Sequence, residues 1–236
     1  MSETVEPWGR VSTFFLAIGV MMVGQLVAFM ALLSIYGASL ASHGELDGNG
    51  VAVALLILVS TPVQIALLML FAAQRGNPLD YLALRLPKRS DVIFGVLAIV
   101  ALIAVADAVS WLFGRDLVTP FQVNIYRTAE AAGWLPLLWF AVVIGAPAGE
   151  EVLFRGFLFR GWLRKPGDTW AVIAITAGLF ALMHVQYDWF VMGQVFIFGL
   201  LLGFMRWASG STLLTILLHA IINFEGMLET WISLNV

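Results

Sequence analysis

Two adjacent glutamates stand in an otherwise apolar stretch of the chain, in the segment Glu150-Glu151-Val-Leu-Phe-Arg155. On a helix, Glu151 and Arg155 are four residues apart and share a face, so the arginine can hold that carboxylate ionised by a direct ion pair. Glu150 projects about 100° away and has no such local partner. It is therefore a candidate general base, which would take a proton from water. The alternative is an interfacial ion pair at the basic end of the helix.

Two histidines also lie in apolar segments, and each has a companion one helical turn away. Phe180 precedes His184 by four residues, and Asn223 follows His219 by four, so each pair shares a helical face. Taken singly, a histidine of this kind is as readily explained as an interfacial or hydrogen-bonded buried residue as it is as a catalytic one. Two such histidines, with a glutamate pair elsewhere in the chain, favour a shared catalytic site.

A further ionisable residue, Asp107, lies within an apolar run and has no evident partner in the sequence. Inserting a charged group into a bilayer costs about 2.5–3.5 kcal/mol on insertion scales, so each such group is a candidate for a functional role. We interpret Asp107 as a buried hydrogen-bonding or tilt-setting residue rather than a catalytic one.

The elements that position these residues are predicted to be transmembrane helices. Hydrophobic residues make up 61% of the 236 residues and charged residues only 11%, against roughly 25% charged in an average soluble domain. Apolar runs long enough to cross a bilayer as helices, about 20 residues each, occupy most of the chain. The runs cover residues 11–40, 51–73, 92–113, 134–147 continuing into the next helix, 170–183, 189–207 and 212–234. We predict an all-α, polytopic transmembrane helical bundle of about seven to eight spans, eight if the last run is split.

We predict one membrane domain over residues 1–236, with three N-terminal spans in residues 11–113 and a catalytic core in residues 134–234. Helices are favoured over strands because lipid offers no partners to backbone groups and the runs lack a two-residue alternation. The first run is predicted to be a retained span, since acids precede it and it is longer than a secretory signal. The absence of cysteine excludes disulfides and thiolate metal sites, and the net charge of -3 excludes a basic surface for nucleic acid.

The distribution of Lys and Arg predicts the orientation of the chain. With seven spans, Arg115 and Arg127 lie on one side and the other ten of the 12 basic residues on the opposite side. The ten are Arg10, Arg75, Arg85, Lys88, Arg89, Arg155, Arg160, Arg164, Lys165 and Arg206. Because basic residues are enriched on the cytoplasmic side, we predict an integral membrane protein of a prokaryotic plasma membrane with a cytoplasmic N-terminus.

Three motifs on successive hydrophobic runs resemble those of the CPBP (CAAX protease and bacteriocin-processing) family of intramembrane proteases, which includes the Ras-converting CAAX endopeptidases. The motifs are Glu150-Glu151-x-x-x-Arg155, Phe180-x-x-x-His184 and His219-x-x-x-Asn223. Each alone is unspecific, but all three in this order are specific. The resemblance covers about residues 134–225.

The resemblance implies a role for each residue of the motifs. Glu150 and His184 would activate the attacking water. His219 and Asn223 would stabilise the oxyanion of the tetrahedral intermediate, which is often the largest catalytic contribution. Structural support would come from Glu151 and Arg155. The function implied is hydrolysis of a peptide bond in a membrane-associated protein or peptide, with that substrate and the lipid bilayer as partners and no nucleic acid.

Three alternatives stay open at this stage. Members of the family have also been described as metalloproteases, and a carboxylate with two imidazoles could bind zinc. The chain has no His-Glu-x-x-His motif and no cysteine, so we predict a mechanism without a cofactor and keep zinc as the alternative. The other two are an ion-coupled or proton-coupled transporter, for which no inverted repeat is visible, and a non-catalytic membrane scaffold or immunity protein.

Overall fold

A computed structural model describes residues 6–37 and 48–236 of the protein, and all regular elements in these two ranges are helical. The helices are α1 (Arg10–Tyr36), α2 (Gly50–Ala73), α3 (Pro78–Tyr81), α4 (Arg89–Leu112), α5 (Pro120–Ala131), α6 (Leu135–Trp162), α7 (Thr169–Leu182), α8 (Trp189–Ser209) and α9 (Thr212–Asn235). The predicted all-α membrane bundle is therefore confirmed.

Six helices of the described ranges are long and apolar enough to cross a membrane, namely α1, α2, α4, α6, α8 and α9. The remaining apolar run, residues 170–183, forms α7, which has 14 residues. At 1.5 Å per residue it is about 21 Å long, short of a hydrocarbon core of about 30 Å. Helix α9 is continuous, so the split that would give an eighth span does not occur. The predicted end of the first run, at residue 40, lies outside the described residues.

Helix α6 contains two π-helical stretches, Ala141–Gly145 and Val152–Leu158, in which backbone hydrogen bonds join residues five apart instead of four. A proline follows the first stretch and leaves one of its carbonyl groups without a backbone donor. In the five-residue register the donor to the Val142 carbonyl would be residue 147, and Pro147 has no N–H. The Val142 carbonyl accepts a hydrogen bond from Asn223 Nδ2 instead, at 2.8 Å. Such stretches are frequent at functional sites.

A second side-chain hydrogen bond, from α2, also reaches the first π-helical stretch. Thr61 Oγ1 on α2 donates to the carbonyl of Gly145 at 3.2 Å. The second stretch is completely buried, and its residues pack against apolar side chains of α1 and α2. Helix α6 therefore lies at the centre of the bundle, and its position is set by its neighbours on several sides.

The ends of the bundle differ in charge. At one end Arg10 pairs with Asp168 at 2.6 Å, and Arg85 Nε donates to the carbonyl of Gly210 at 2.7 Å. We call this end, where α1 begins and α8 ends, the basic end. Arg115 pairs at the opposite end with the residue that caps α8. The predicted segregation of basic residues is thus visible in the fold.

Two of the ten residues assigned to the basic side are buried inside helices instead of lying in the connections between spans. Arg155 lies within α6 and is completely buried, and Arg206 lies within α8 with 7% of its surface exposed. Both side chains make hydrogen bonds inside the bundle, which is why helical segments can bury them.

Candidate active site

A completely buried ion pair in α6 forms the centre of the candidate site. Arg155 Nη1 lies 2.8 Å from Glu151 Oε1, and neither side chain has exposed surface. Arg155 Nη2 also donates to the carbonyl of Gly199 at 2.9 Å. The guanidinium carbon lies 4.7 Å from the centre of the Phe180 ring. The pairing expected from the spacing of four residues is present, although Arg155 belongs to a π-helical stretch.

The imidazole of His219 on α9 lies between the two glutamates. Its Nδ1 is 3.0 Å from Glu151 Oε1, and its Nε2 is 3.8 Å from Glu150 Oε2. An ionised carboxylate only accepts hydrogen bonds, so Nδ1 is the donor to Glu151. A neutral His219 then has its lone pair on Nε2, and the ring donates from Nε2 only when both nitrogens carry protons.

Glu150 borders a cavity of about 290 Å³ inside the bundle. Its side chain is 29% exposed, whereas Glu151 next to it is completely buried. Glu150 Oε2 has no hydrogen-bond partner among the described residues. The exposed part of the carboxylate can accept a proton or a hydrogen bond from a molecule in the cavity.

His184 lies two residues beyond the end of α7. Its Nδ1 is 2.8 Å from the carbonyl oxygen of Phe180, and the two rings are 4.7 Å apart between centroids. Because a carbonyl only accepts, the proton of the neutral ring is on Nδ1, and Nε2 is the basic nitrogen. The short α7 also explains the depth of His184: its helix ends about 21 Å from its start, within the hydrocarbon region.

The four residues predicted to be catalytic, Glu150, His184, His219 and Asn223, all line the same cavity. They come from three separate parts of the chain: α6, the connection after α7, and α9, on which His219 and Asn223 lie one turn apart. Asn223 uses one amide proton on the Val142 carbonyl and keeps the other for a further acceptor. The arrangement combines two proton acceptors with amide and imidazole groups around one space, which suits hydrolysis by an activated water.

Sequence reasoning missed Tyr187, which also lines this cavity. The rings of Tyr187 and His184 are stacked, with centroids 6.1 Å apart and an interplanar angle of 17°. Burial raises the pKa of Tyr187 to about 12, so the phenol keeps its proton at neutral pH and can donate a hydrogen bond. Its position three residues after His184, in a turn, was the available signal.

A second group that sequence reasoning missed surrounds Asp107. Carboxylate oxygens of Asp107, Glu225 and Glu229 lie within 4.8 Å of one another along the same cavity. No partner of Asp107 was evident in the sequence, and α9 supplies two acidic neighbours; its interpretation as a hydrogen-bonding or tilt-setting residue stays a prediction. The spacing of Glu225 and Glu229, four residues apart just after Asn223, was the available signal. Oxygen ligands of this kind suit Mg²⁺ or Ca²⁺.

Possible metal ligands gather at another part of the cavity and not at the proposed catalytic residues. In residues 6–37 and 48–236, only the three acids around Asp107 bring metal-ligand atoms within 4.8 Å of one another. Glu150, His184 and His219 do not form such a group. The Nδ1 atoms of both histidines are engaged, one by a carboxylate and one by a carbonyl, so Nε2 is the nitrogen that either histidine could offer to a ligand.

Comparison with known proteins finds similarity in the segment that carries the four candidate catalytic residues. Residues 132–224 match the family described as type II CAAX prenyl endopeptidase Rce1-like. An uncharacterized 24.3 kDa protein of Escherichia coli is 31% identical over 130 residues, which cover 53% of this chain and 59% of that relative. The match thus spans less than two thirds of the relative. No solved structure matches the chain at a significant level. Residues 132–224, which carry all three motifs, are thus similar to the Rce1-like family.

Proposed function

We propose that this protein is an intramembrane endopeptidase that hydrolyses a peptide bond of a membrane-associated protein or peptide. The observation that supports it most strongly is the convergence of Glu150, His184, His219 and Asn223 on one cavity inside a membrane bundle. The family match of residues 132–224 supports the same class of reaction. The basic end would face the cytoplasm of a prokaryote, together with the N-terminus.

The proposed reaction begins with water bound at Glu150. The carboxylate takes one proton of the water while the water oxygen forms a bond to the carbonyl carbon of the substrate. His184, with its basic Nε2, shares this proton. When the tetrahedral intermediate collapses, the C–N bond breaks and the same proton passes to the leaving amine. The apolar walls of the bundle keep bulk water away, which strengthens each electrostatic interaction.

The negative oxygen of the intermediate needs hydrogen-bond donors. Asn223 would supply its second amide proton, with the first fixing the side chain on the Val142 carbonyl. His219 would donate from Nε2 when both ring nitrogens carry protons, with Glu151 holding the Nδ1 side. The ion pair between Glu151 and Arg155 would keep His219 in place without touching the substrate.

Cleavage by the purified protein tests the proposal directly. The full chain in detergent is incubated with a mixture of membrane-associated peptides, and the products are identified by mass spectrometry. New termini that require active protein are the expected result. A transporter or a scaffold would produce none, so an inactive but folded protein over a broad peptide set would contradict the proposal.

We expect Asn223→Ala to lower kcat by about 10²–10³ with little change in KM, because the lost donor acts on the transition state. Asn223 also holds the π-helical stretch, so a control must separate the two effects. Thr61→Val removes the other side-chain hydrogen bond to that stretch, lies outside the cavity, and should retain most activity. A raised KM with an unchanged kcat would instead make Asn223 a contact to the substrate or to the helix.

A pair of pH–rate curves separates the two histidine-bearing motifs. His184 shares proton handling with Glu150, so His184→Gln should flatten or shift one limb of the curve. Asn223→Ala should lower the whole curve and leave its shape unchanged. Identical curve shapes for both variants would contradict the division of roles.

We expect exhaustive chelation to leave activity intact, since water activation here needs only Glu150 and His184. Elemental analysis of the active protein should find no stoichiometric zinc. Loss of activity that one divalent ion restores would favour the metal-dependent alternative. In that case Asp107→Asn would show whether the ion binds the three acids around Asp107.

A further inference from the structure

Arg206 is a buried cation with no counter-ion among the described residues. Only 7% of its surface is exposed. Its Nε donates to the carbonyl of Arg155 at 2.9 Å, and its guanidinium carbon lies 5.4 Å from the centre of the Phe159 ring. No carboxylate of residues 6–37 or 48–236 forms an ion pair with it. The two Nη groups of Arg206 therefore remain available as donors.

The nearest charges repel Arg206 instead of balancing it. The positive charges of Arg85 and Arg160 both act on it. Arg85 is fixed across the turn that follows α8, through its Nε and the carbonyl of Gly210. Arg160 follows Phe159 on α6, and both flanking arginines are exposed to solvent. Neither has an ion-pair partner in the part of the chain that the structure describes.

Three arginines around one point, one of them buried, cost free energy unless an anion offsets their charge. Removing a guanidinium from water is costly, and like charges nearby add to that cost. Guanidinium groups match phosphate oxygens through pairs of parallel hydrogen bonds. We propose that Arg206, Arg85 and Arg160 bind a phosphate group at the basic end, supplied by the headgroup of an anionic phospholipid.

The depth of this cluster favours a lipid as the source of the phosphate. Arg206 lies three residues before the end of α8, about 5 Å from the helix end. Trp207 follows it, with its ring tilted by 44° against that of Trp170 at 6.2 Å between centroids, and both rings are exposed. Exposed Trp residues are typical of the membrane interface, where lipid phosphates lie. Basic pockets between transmembrane helices on the cytoplasmic side bind anionic headgroups.

The site is independent of the proposed peptidase activity, so its test uses stability. The full chain is placed in bilayer discs of phosphatidylcholine, phosphatidylglycerol is added in steps, and the midpoint of thermal unfolding is measured. We expect the wild-type midpoint to rise and to saturate. Arg85→Gln and Arg160→Gln should each need about tenfold more phosphatidylglycerol for the same rise, the effect of losing one charge-assisted hydrogen bond.

Arg89→Gln is the matched control, since it removes one exposed charge at the same end but outside the cluster. It should change the lipid requirement by less than about twofold. Arg206→Gln should abolish the rise, and the two exposed variants keep the test valid if this one does not fold. An equal effect of Arg89→Gln, or no rise in the wild type, would overturn the proposal. The same midpoint is measured with inorganic phosphate in phosphatidylcholine discs, and a rise there would assign the site to free phosphate instead of a lipid headgroup.

Discussion

Replacing Glu150 by glutamine is expected to lower kcat for peptide hydrolysis by about 10²–10⁴ or to abolish it, because the amide cannot take a proton from water. The fold should survive. Glu150 Oε2 has no hydrogen-bond partner among the described residues, and the side chain is 29% exposed to the cavity. The amide has nearly the same size as the carboxylate, so substrate binding should change little.

Activity and the midpoint of thermal unfolding are measured on the same preparation of this variant. Glu130→Gln provides the control, because it removes the same charge from an exposed position on α5 that does not line the cavity. Wild-type turnover by Glu150→Gln would rule out Glu150 as the general base. A lower unfolding midpoint than that of Glu130→Gln would show that Glu150 also supports the fold.

Glu151→Gln is expected to destabilise the protein by about 3–5 kcal/mol and to reduce activity, because it leaves Arg155 charged and unpaired where no water reaches it. It also removes the charged acceptor for His219 Nδ1. The double variant Glu151→Leu with Arg155→Met should recover much of the stability but not the activity, since an apolar pair avoids the buried charge.

Denaturant or thermal unfolding of the three variants measures this difference. Arg10→Gln is the comparison for an ion pair in contact with water, because Arg10 is 54% exposed in its pair with Asp168. Its effect on stability should be clearly smaller. Equal losses for Glu151→Gln and Arg10→Gln would mean that water reaches the Glu151 pair.

Hydropathy predicted the helices well because membrane spans are defined by long apolar runs. The run at residues 51–73 corresponds to Gly50–Ala73, and that at 212–234 corresponds to Thr212–Asn235. The ion pair of Glu151 and Arg155 was also predictable, since both residues lie one turn apart on a single helix. The roles given to Glu150, His184, His219 and Asn223 stay predictions, although one cavity contains all four.

Contacts between distant helices could not be predicted from the periodicity of the sequence. The partners of Asp107 lie on α9, more than a hundred residues along the chain, and no local pattern joins them. The same holds for the hydrogen bond between His219 and Glu151. The π-helical register of α6 was also not predictable, because it depends on an acceptor filled by Asn223 from another helix as well as on Pro147.

The π-helical stretches make the length of α6 a functional property. Each hydrogen bond there encloses one residue more than in an α-helix. Deleting a single residue from α6 with no change of register to absorb it would turn the residues before the deletion by about 100° relative to those after it. Either the membrane-facing surface or the two glutamates would then point the wrong way. Evolution can exchange side chains along this segment far more easily than it can insert or remove residues.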